Sequence, residues 1–224
     1  MMVVREYVDE DGKYNIILDA GEYTTSMVKC AFKADSGTAL YLCYAECMTF
    51  RDANGNITKG MRDAADGMVE KLGYDTLTAN GEEQIFETFW YRAFRFIRVE
   101  CDRKPEKLQI THSRYAYDFT QNAENGGIGS FASNEKIYSD MWHVSRNTLE
   151  CSSQETFMDC PYYEQQQYAM DGGLESLFAW RLSNNSSLQK KIIVDMAHSQ
   201  RPNGLIQASY PSRYRQIIPS FSLY

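Results

Sequence analysis

Apolar residues change their period part-way along this chain, and no other feature constrains the fold as tightly. From Tyr14 to about Tyr117 the period is two. Within Thr25-Ser26-Met27-Val28-Lys29-Cys30-Ala31-Phe32-Lys33, Met27, Lys29, Ala31 and Lys33 fall on one face, against Val28, Cys30 and Phe32 on the other. That is the pattern of a strand with one buried side. A second strand, residues 40–46, follows the turn Asp35-Ser36-Gly37, and further strands are expected at 74–79, 84–90, 93–101 and 107–115. Gly12, Gly21, Asn54-Gly55-Asn56, Asn80-Gly81 and Pro105 punctuate them. Short strands at this spacing predict an antiparallel β-sandwich of the jelly-roll kind. Residues 52–73 are read as a long loop with a short helix.

Beyond Tyr117 the period becomes helical. Asn125-Gly126-Gly127-Ile128-Gly129-Ser130 reads as a flexible joint, and Ser133-Asn134-Glu135 offers an N-cap. Ile137, Met141, Val144 and Leu149 then recur at helical spacing. A second helix is expected from about Tyr163 to Leu182, with Met170, Leu174, Leu177, Phe178 and Leu182 as its apolar stripe. A third is expected at 187–200, carrying Leu188, Ile192, Ile193 and Met196. The chain is therefore read as α+β and multidomain: a sandwich over residues 1–117, a linker at 118–131 and a helical domain over 132–224. Three helices are few for a free-standing helical domain. The final run Ile217-Ile218-Pro219-Ser220-Phe221-Ser222-Leu223-Tyr224 is apolar, so the chain is expected to be truncated.

A net charge of −7, with Lys and Arg scattered, argues against nucleic acid, whose phosphates require a clustered cationic face. No apolar run reaches the roughly 18 residues of a membrane span, so no membrane partner is expected. Oligomeric state is not legible. The six cysteines include no Cys-x-x-Cys pair. They read as buried thiols and lean towards a reducing compartment, and no metal or organic cofactor is called for.

The chemistry is concentrated between Asp159 and Asp171. Asp159-Cys160-Pro161-Tyr162-Tyr163-Glu164, followed by Asp171, brings three carboxylates together among tyrosines and amides. Sugar hydrolysis needs one protonated acid for the glycosidic oxygen and ionised groups for hydroxyls and the incipient cation. Pro161 disfavours helix at Cys160, so Asp159 is expected in an extended segment just before the second helix. Glu164 and Asp171, seven residues apart on that helix, would share a face with Gln167 and Tyr168. The bland alternative makes Asp159 a helix cap and the pair a solvated face. Gly172-Gly173 costs a helix about 1 kcal/mol per glycine relative to alanine, which suggests either that a backbone or a ligand comes close there or that the helix is frayed or kinked.

The run from Cys151 to Gln165 resembles the first active-site loop of bacterial α-L-rhamnosidases, glycoside hydrolase family 78, in the branch with aromatics after Asp-Cys-Pro. Asp19-Ala20-Gly21, Tyr44-Ala45-Glu46 and Phe94-Arg95-Phe96 are similar to strand motifs of the same family. Ala93 departs from the usual glycine before Phe-Arg, and Gly172-Gly173 from bulkier residues. The resemblance implies an inverting hydrolase of rhamnosides whose helices begin an (α/α)₆ barrel. It gives Glu164 the role of general acid, kept protonated by partial burial and by neighbouring Asp159 and Asp171. Those two aspartates would bind rhamnose hydroxyls. Trp142 and Tyr168 are candidate substrate-binding aromatics, while Trp180 reads as core. The family's general base, a glutamate of a later hairpin, has no counterpart here, so the chain alone is expected to be inactive. The competing readings are a non-catalytic carbohydrate-binding protein and another (α/α)₆ glycosidase.

Overall fold

A computed structural model of the chain describes residues 1–120 and 127–223. It comprises two compact units, Met1–Tyr115 and Ala116–Tyr224. Residues 121–126, which include the first two residues of the expected joint, lie outside the described residues. On either side of them, Phe119 is buried in the second unit and Ile128 packs against the same cluster.

The first unit holds the strands β1 (Met2–Val8), β2 (Tyr14–Lys33), β3 (Ala39–Ala45), β4 (Thr49–Arg51), β5 (Ile57–Lys59), β6 (Gly73–Thr78), β7 (Gln84–Glu87), β8 (Arg92–Cys101) and β9 (Lys107–Arg114). Seven of them form one connected sheet of order β1-β2-β8-β3-β6, with β7 and β9 also paired to β2, and every pair is antiparallel. The twenty-residue β2 serves both parts of the sheet. Its residues 14–19 pair with β1 and β8, and its residues 26–33 pair with β9 and β7. Between these stretches the register shifts, and Gly21 takes a φ of +90°, a left-handed conformation that glycine adopts without steric cost.

Period-two reading holds well along β2. Val28, Cys30 and Phe32 are buried, Lys29 is exposed, and each large apolar side chain buried this way contributes about 1.5–3 kcal/mol. Across the fold of the sheet, Phe94 on β8 meets His112 on β9 edge-on, with ring centroids 5.7 Å apart. A second cluster gathers Ile17, Cys43, Met48, Val69 and Phe96. The motif strands meet through charge. Asp19 accepts from Arg95 Nε at 3.1 Å, from Arg95 Nη2 at 3.2 Å and from the Gly21 amide at 2.8 Å. The stretch 52–73 differs from expectation. It contributes β5, which closes a hairpin with β4, and no helix forms there among the described residues.

The second unit holds α1 (Lys136–Cys151), α2 (Ala169–Leu182), α3 (Ser187–His198) and a 3₁₀ turn at Pro219–Leu223. These elements do not by themselves make a six-hairpin barrel. Its core gathers Phe119, Leu149, Phe157, Ala169, Ala179, Leu182, Leu188, Ile192 and Met196. Of the expected stripes, that of α3 is buried at Leu188, Ile192 and Met196. On α1, Ile137, Met141 and Val144 are exposed, as are Leu174, Leu177 and Phe178 on α2. Trp180, read from the sequence as core, is 74% exposed. No described element covers these faces.

Packing accounts for the first glycine of the pair: a Cβ on Gly172 would lie 2.1 Å from Cδ1 of Ile192, so this terminal methyl of α3 would have to shift to admit any side chain there.

Candidate active site

The loop between α1 and α2 is built around Asp159. Its backbone amide donates to the Gln166 carbonyl at 3.0 Å, and its Oδ1 accepts from the Gln166 amide at 2.9 Å. Inside this closure the chain turns at 161–164. The Gln165 amide returns to the Cys160 carbonyl at 3.1 Å, and the Glu164 amide lies 3.3 Å from Cys160 Sγ. Gln165 sits in the left-handed region with φ 54°. These bonds use the backbone groups a helix would need, so α2 begins at Ala169 rather than at Tyr163. Glu164 and Asp171 therefore do not share a helical face. Asp159 stands ten residues before the helix instead of immediately before it.

Glu164 is exposed, not partly buried, and its Oε2 accepts from the Tyr168 hydroxyl at 2.8 Å. That bond, with lesser contributions from burial and from the charges of Glu164, Asp159 and Asp171, pushes the Tyr168 phenol up to about 12. The Tyr168 ring also meets Phe221 edge-on at 6.1 Å. Gln167, expected on a sugar-facing surface, is buried. Its Nε2 donates to Asp195 Oδ2 at 3.0 Å and to the Tyr210 carbonyl at 2.7 Å, which anchors the loop to α3 and to the segment beyond it.

Asp159 and Asp171 come together on the wall of an open cavity of about 580 Å³ between α1 and α2. Trp142 lines the same cavity and lies 6.0 Å from Phe131, ring to ring. Glu164 and Tyr168 are not among the lining residues. A fourth acid is: Glu175, one turn after Asp171. Burial, and then the charges of Asp171 and Asp159, push its carboxyl up to about 9. The sequence analysis assigns Glu175 no role at the site. The i, i+4 spacing from Asp171 was the available signal that both line one wall. Among the described residues no cluster of His, Cys, Asp or Glu is arranged to hold a metal ion. No described helix is long and apolar enough to cross a membrane.

Residues 10–123 match the concanavalin-like domain of bacterial α-L-rhamnosidases, and residues 126–221 match their six-hairpin glycosidase domain. The chain belongs to the bacterial α-L-rhamnosidase family. Among solved structures, the family 78 rhamnosidase of Bacillus sp. GL1 superposes with a TM-score of 0.71 at 20% identity, over 96% of this chain and 21% of that one. The α-L-rhamnosidase of Dictyoglomus thermophilum gives 0.70 at 17%, over 96% and 23%. The rhamnosidase of Klebsiella oxytoca, solved with rhamnose bound, gives 0.68 at 16%, over 100% and 48%. At these identities the structures establish a shared fold, and the chain spans a fifth to a half of the length of each. No match was found among curated proteins.

Proposed function

We propose that the chain contributes to an inverting glycoside hydrolase that removes terminal α-L-rhamnose, with Glu164 as general acid and Asp159 and Asp171 as ligands of the sugar hydroxyls. The observation that carries this reading is the convergence of Asp159, Asp171 and Trp142 on one cavity inside the stretch that matches the six-hairpin glycosidase domain. Residues 1–117 are then the family's sandwich and 132–224 the first helices of its barrel, joined by 118–131. The rhamnose in the Klebsiella oxytoca structure motivates the choice of sugar.

Ionised Asp159 and Asp171 are acceptors only, suited to sugar O–H groups, and Trp142 offers a ring face for the apolar side of a pyranose. The Tyr168 hydroxyl occupies Oε2 of Glu164 and leaves Oε1 to carry the proton given to the leaving oxygen. Inversion also needs a base about 6.5–9.5 Å from the acid, on the other face of the sugar. None of the 224 residues is assigned that role, so this chain alone is expected to bind L-rhamnose without turning over rhamnosides.

The test is an amide-resolved NMR titration of the 224-residue chain with L-rhamnose. Shifts centred on Asp159, Asp171 and Trp142 are expected. Shifts confined to residues 14–117 would instead support a sugar-binding sandwich. In a protein that continues this chain through further hairpins, Glu164→Gln is expected to abolish hydrolysis of natural rhamnosides, and turnover near wild type would refute the acid assignment.

A further inference from the structure

Glu175 is a partly buried carboxyl on the cavity wall for which the proposed mechanism has no use. It lies one helical turn below Asp171 on α2. Its Oε2 is shielded from solvent and has no hydrogen-bond partner among the described residues. The charged groups that share the cavity with it are Arg146 from α1, Asp159 from the preceding loop, and Asp171 and Arg181 from α2 itself. Arg146 is already engaged with Glu150, Nε to Oε1 at 2.8 Å. The 3₁₀ turn and α3 pack elsewhere on α2 and contribute no residue to the lining. A buried polar atom without a partner costs about 1–3 kcal/mol, so a position that tolerates one invites a ligand that supplies the partner.

Resting on the rhamnosidase reading, we propose that Glu175 is a further sugar-positioning residue, which meets the bound monosaccharide as a neutral carboxylic acid and donates the hydrogen bond that Asp159 and Asp171 cannot. The chemistry follows from the donor inventory. Each sugar hydroxyl donates once and accepts through its lone pairs, whereas two ionised aspartates only accept. A protonated carboxyl adds one O–H donor and one carbonyl acceptor to the same wall. Ionisation of Glu175 would remove the donor and set a third negative charge beside the two aspartates. The burial and charge that hold its carboxyl near 9 keep the donor in place through neutral pH. Binding should therefore be constant through neutrality and weaken as pH rises past about 9, by up to tenfold per pH unit if only the neutral form binds.

The experiment titrates L-rhamnose into the 224-residue wild-type chain, Glu175→Gln and Glu175→Met between pH 6 and pH 10. Glu175→Gln retains a neutral donor and acceptor, so it is expected to keep wild-type affinity at pH 7 and to lose the alkaline decline. Glu175→Met fills the volume without either function and is expected to bind more weakly, by about fivefold or more, at every pH. A decline in Glu175→Gln equal to that of the wild type, or undiminished binding by Glu175→Met at pH 7, overturns the proposal and leaves the rhamnosidase reading standing. Absence of binding by all three proteins at every pH removes that reading and the role of Glu175 with it. Should the variants fail to fold, ¹³C NMR of the wild-type side-chain carboxyls decides the matter. Glu175 titrating near 9 supports the assignment, and titration in the ordinary range around 4.5 overturns it.

Discussion

Replacing Gly172 with alanine sets two effects of similar size against each other, and the structure says which residue arbitrates. Alanine improves the intrinsic stability of α2 by about 1 kcal/mol. The same methyl would lie 2.1 Å from Ile192 Cδ1, an atom of a side chain only 5% exposed. Forcing an extra carbon into such a packed site costs about 1–3 kcal/mol, so Gly172→Ala alone should range from neutral to about 2 kcal/mol destabilising. Ile192→Val deletes the obstructing atom. The next neighbours, Ile192 Cγ1 at 3.6 Å and Phe157 Cβ at 3.7 Å, are at ordinary contact distance. Ile192→Val by itself costs about 0.5–1.5 kcal/mol. In that background Gly172→Ala should stabilise by about 1 kcal/mol, giving a coupling energy of about 1–3 kcal/mol between the two positions. Urea unfolding followed by circular dichroism at 222 nm reads the cycle, because all three α-helices belong to the second unit. A Gly172→Ala variant that stabilises the wild type as much as it stabilises Ile192→Val would refute the argument that α3 dictates this glycine.

Three further outcomes are expected, the first two in the first unit. Asp19→Ala removes the carboxylate that receives Arg95 and the Gly21 amide, and a chemical-denaturation midpoint should report a loss of about 3–5 kcal/mol, as for other broken buried pairs. Around Glu100, desolvation raises the carboxyl but is outweighed by Lys71, Lys13 and Arg98, so its net shift is downward from 4.5. The stability it lends is present above about pH 4.5 and lost as pH falls through its lowered value; thermal melts of wild type and Glu100→Gln should differ at pH 7 and converge in acid. Burial pushes Cys30 and Cys101 up to about 12, and Cys43, Cys47 and Cys151 are buried as well, so a thiol reagent at pH 8 should label the half-buried Cys160 first and the other five only on unfolding.

What the sequence made legible was mostly what local periodicity records. The strands around Val28–Phe32, Leu40–Tyr44 and Phe94–Val99 were readable because each buries one or both faces, and the three helices because their stripes recur at helical spacing. Strand β1 was not, since an edge strand with the burial pattern of Met2–Val8 carries little alternation and is defined by its partner. The hairpin of β4 and β5 was missed because three residues are too few for a period, although Asn54-Gly55-Asn56 marked its turn. The start of α2 was misjudged because the bonds that close the loop around Asp159 are particular to side-chain geometry. Periodicity also reports that a helix face is apolar without saying what covers it, hence the exposed Met141, Leu177 and Trp180. On the cavity wall, Asp159 and Asp171 were legible in the carboxylate motif and Trp142 as a candidate aromatic. The burial of Glu175 needed three dimensions.

Strand β2 also imposes an order in time. Of its four partners only β1 precedes it in the chain. The fifty residues between Lys33 and Gln84 take about 3–10 s to synthesise at 5–20 residues per second. Throughout that interval the stretch 26–33, with Val28, Cys30 and Phe32 along one side, has no strand to pair with on either edge. Such a stretch can be captured by a neighbouring nascent chain. Lys29 and Lys33, which alternate with the apolar positions, give every such encounter a like-charge repulsion until β9 and β7 arrive.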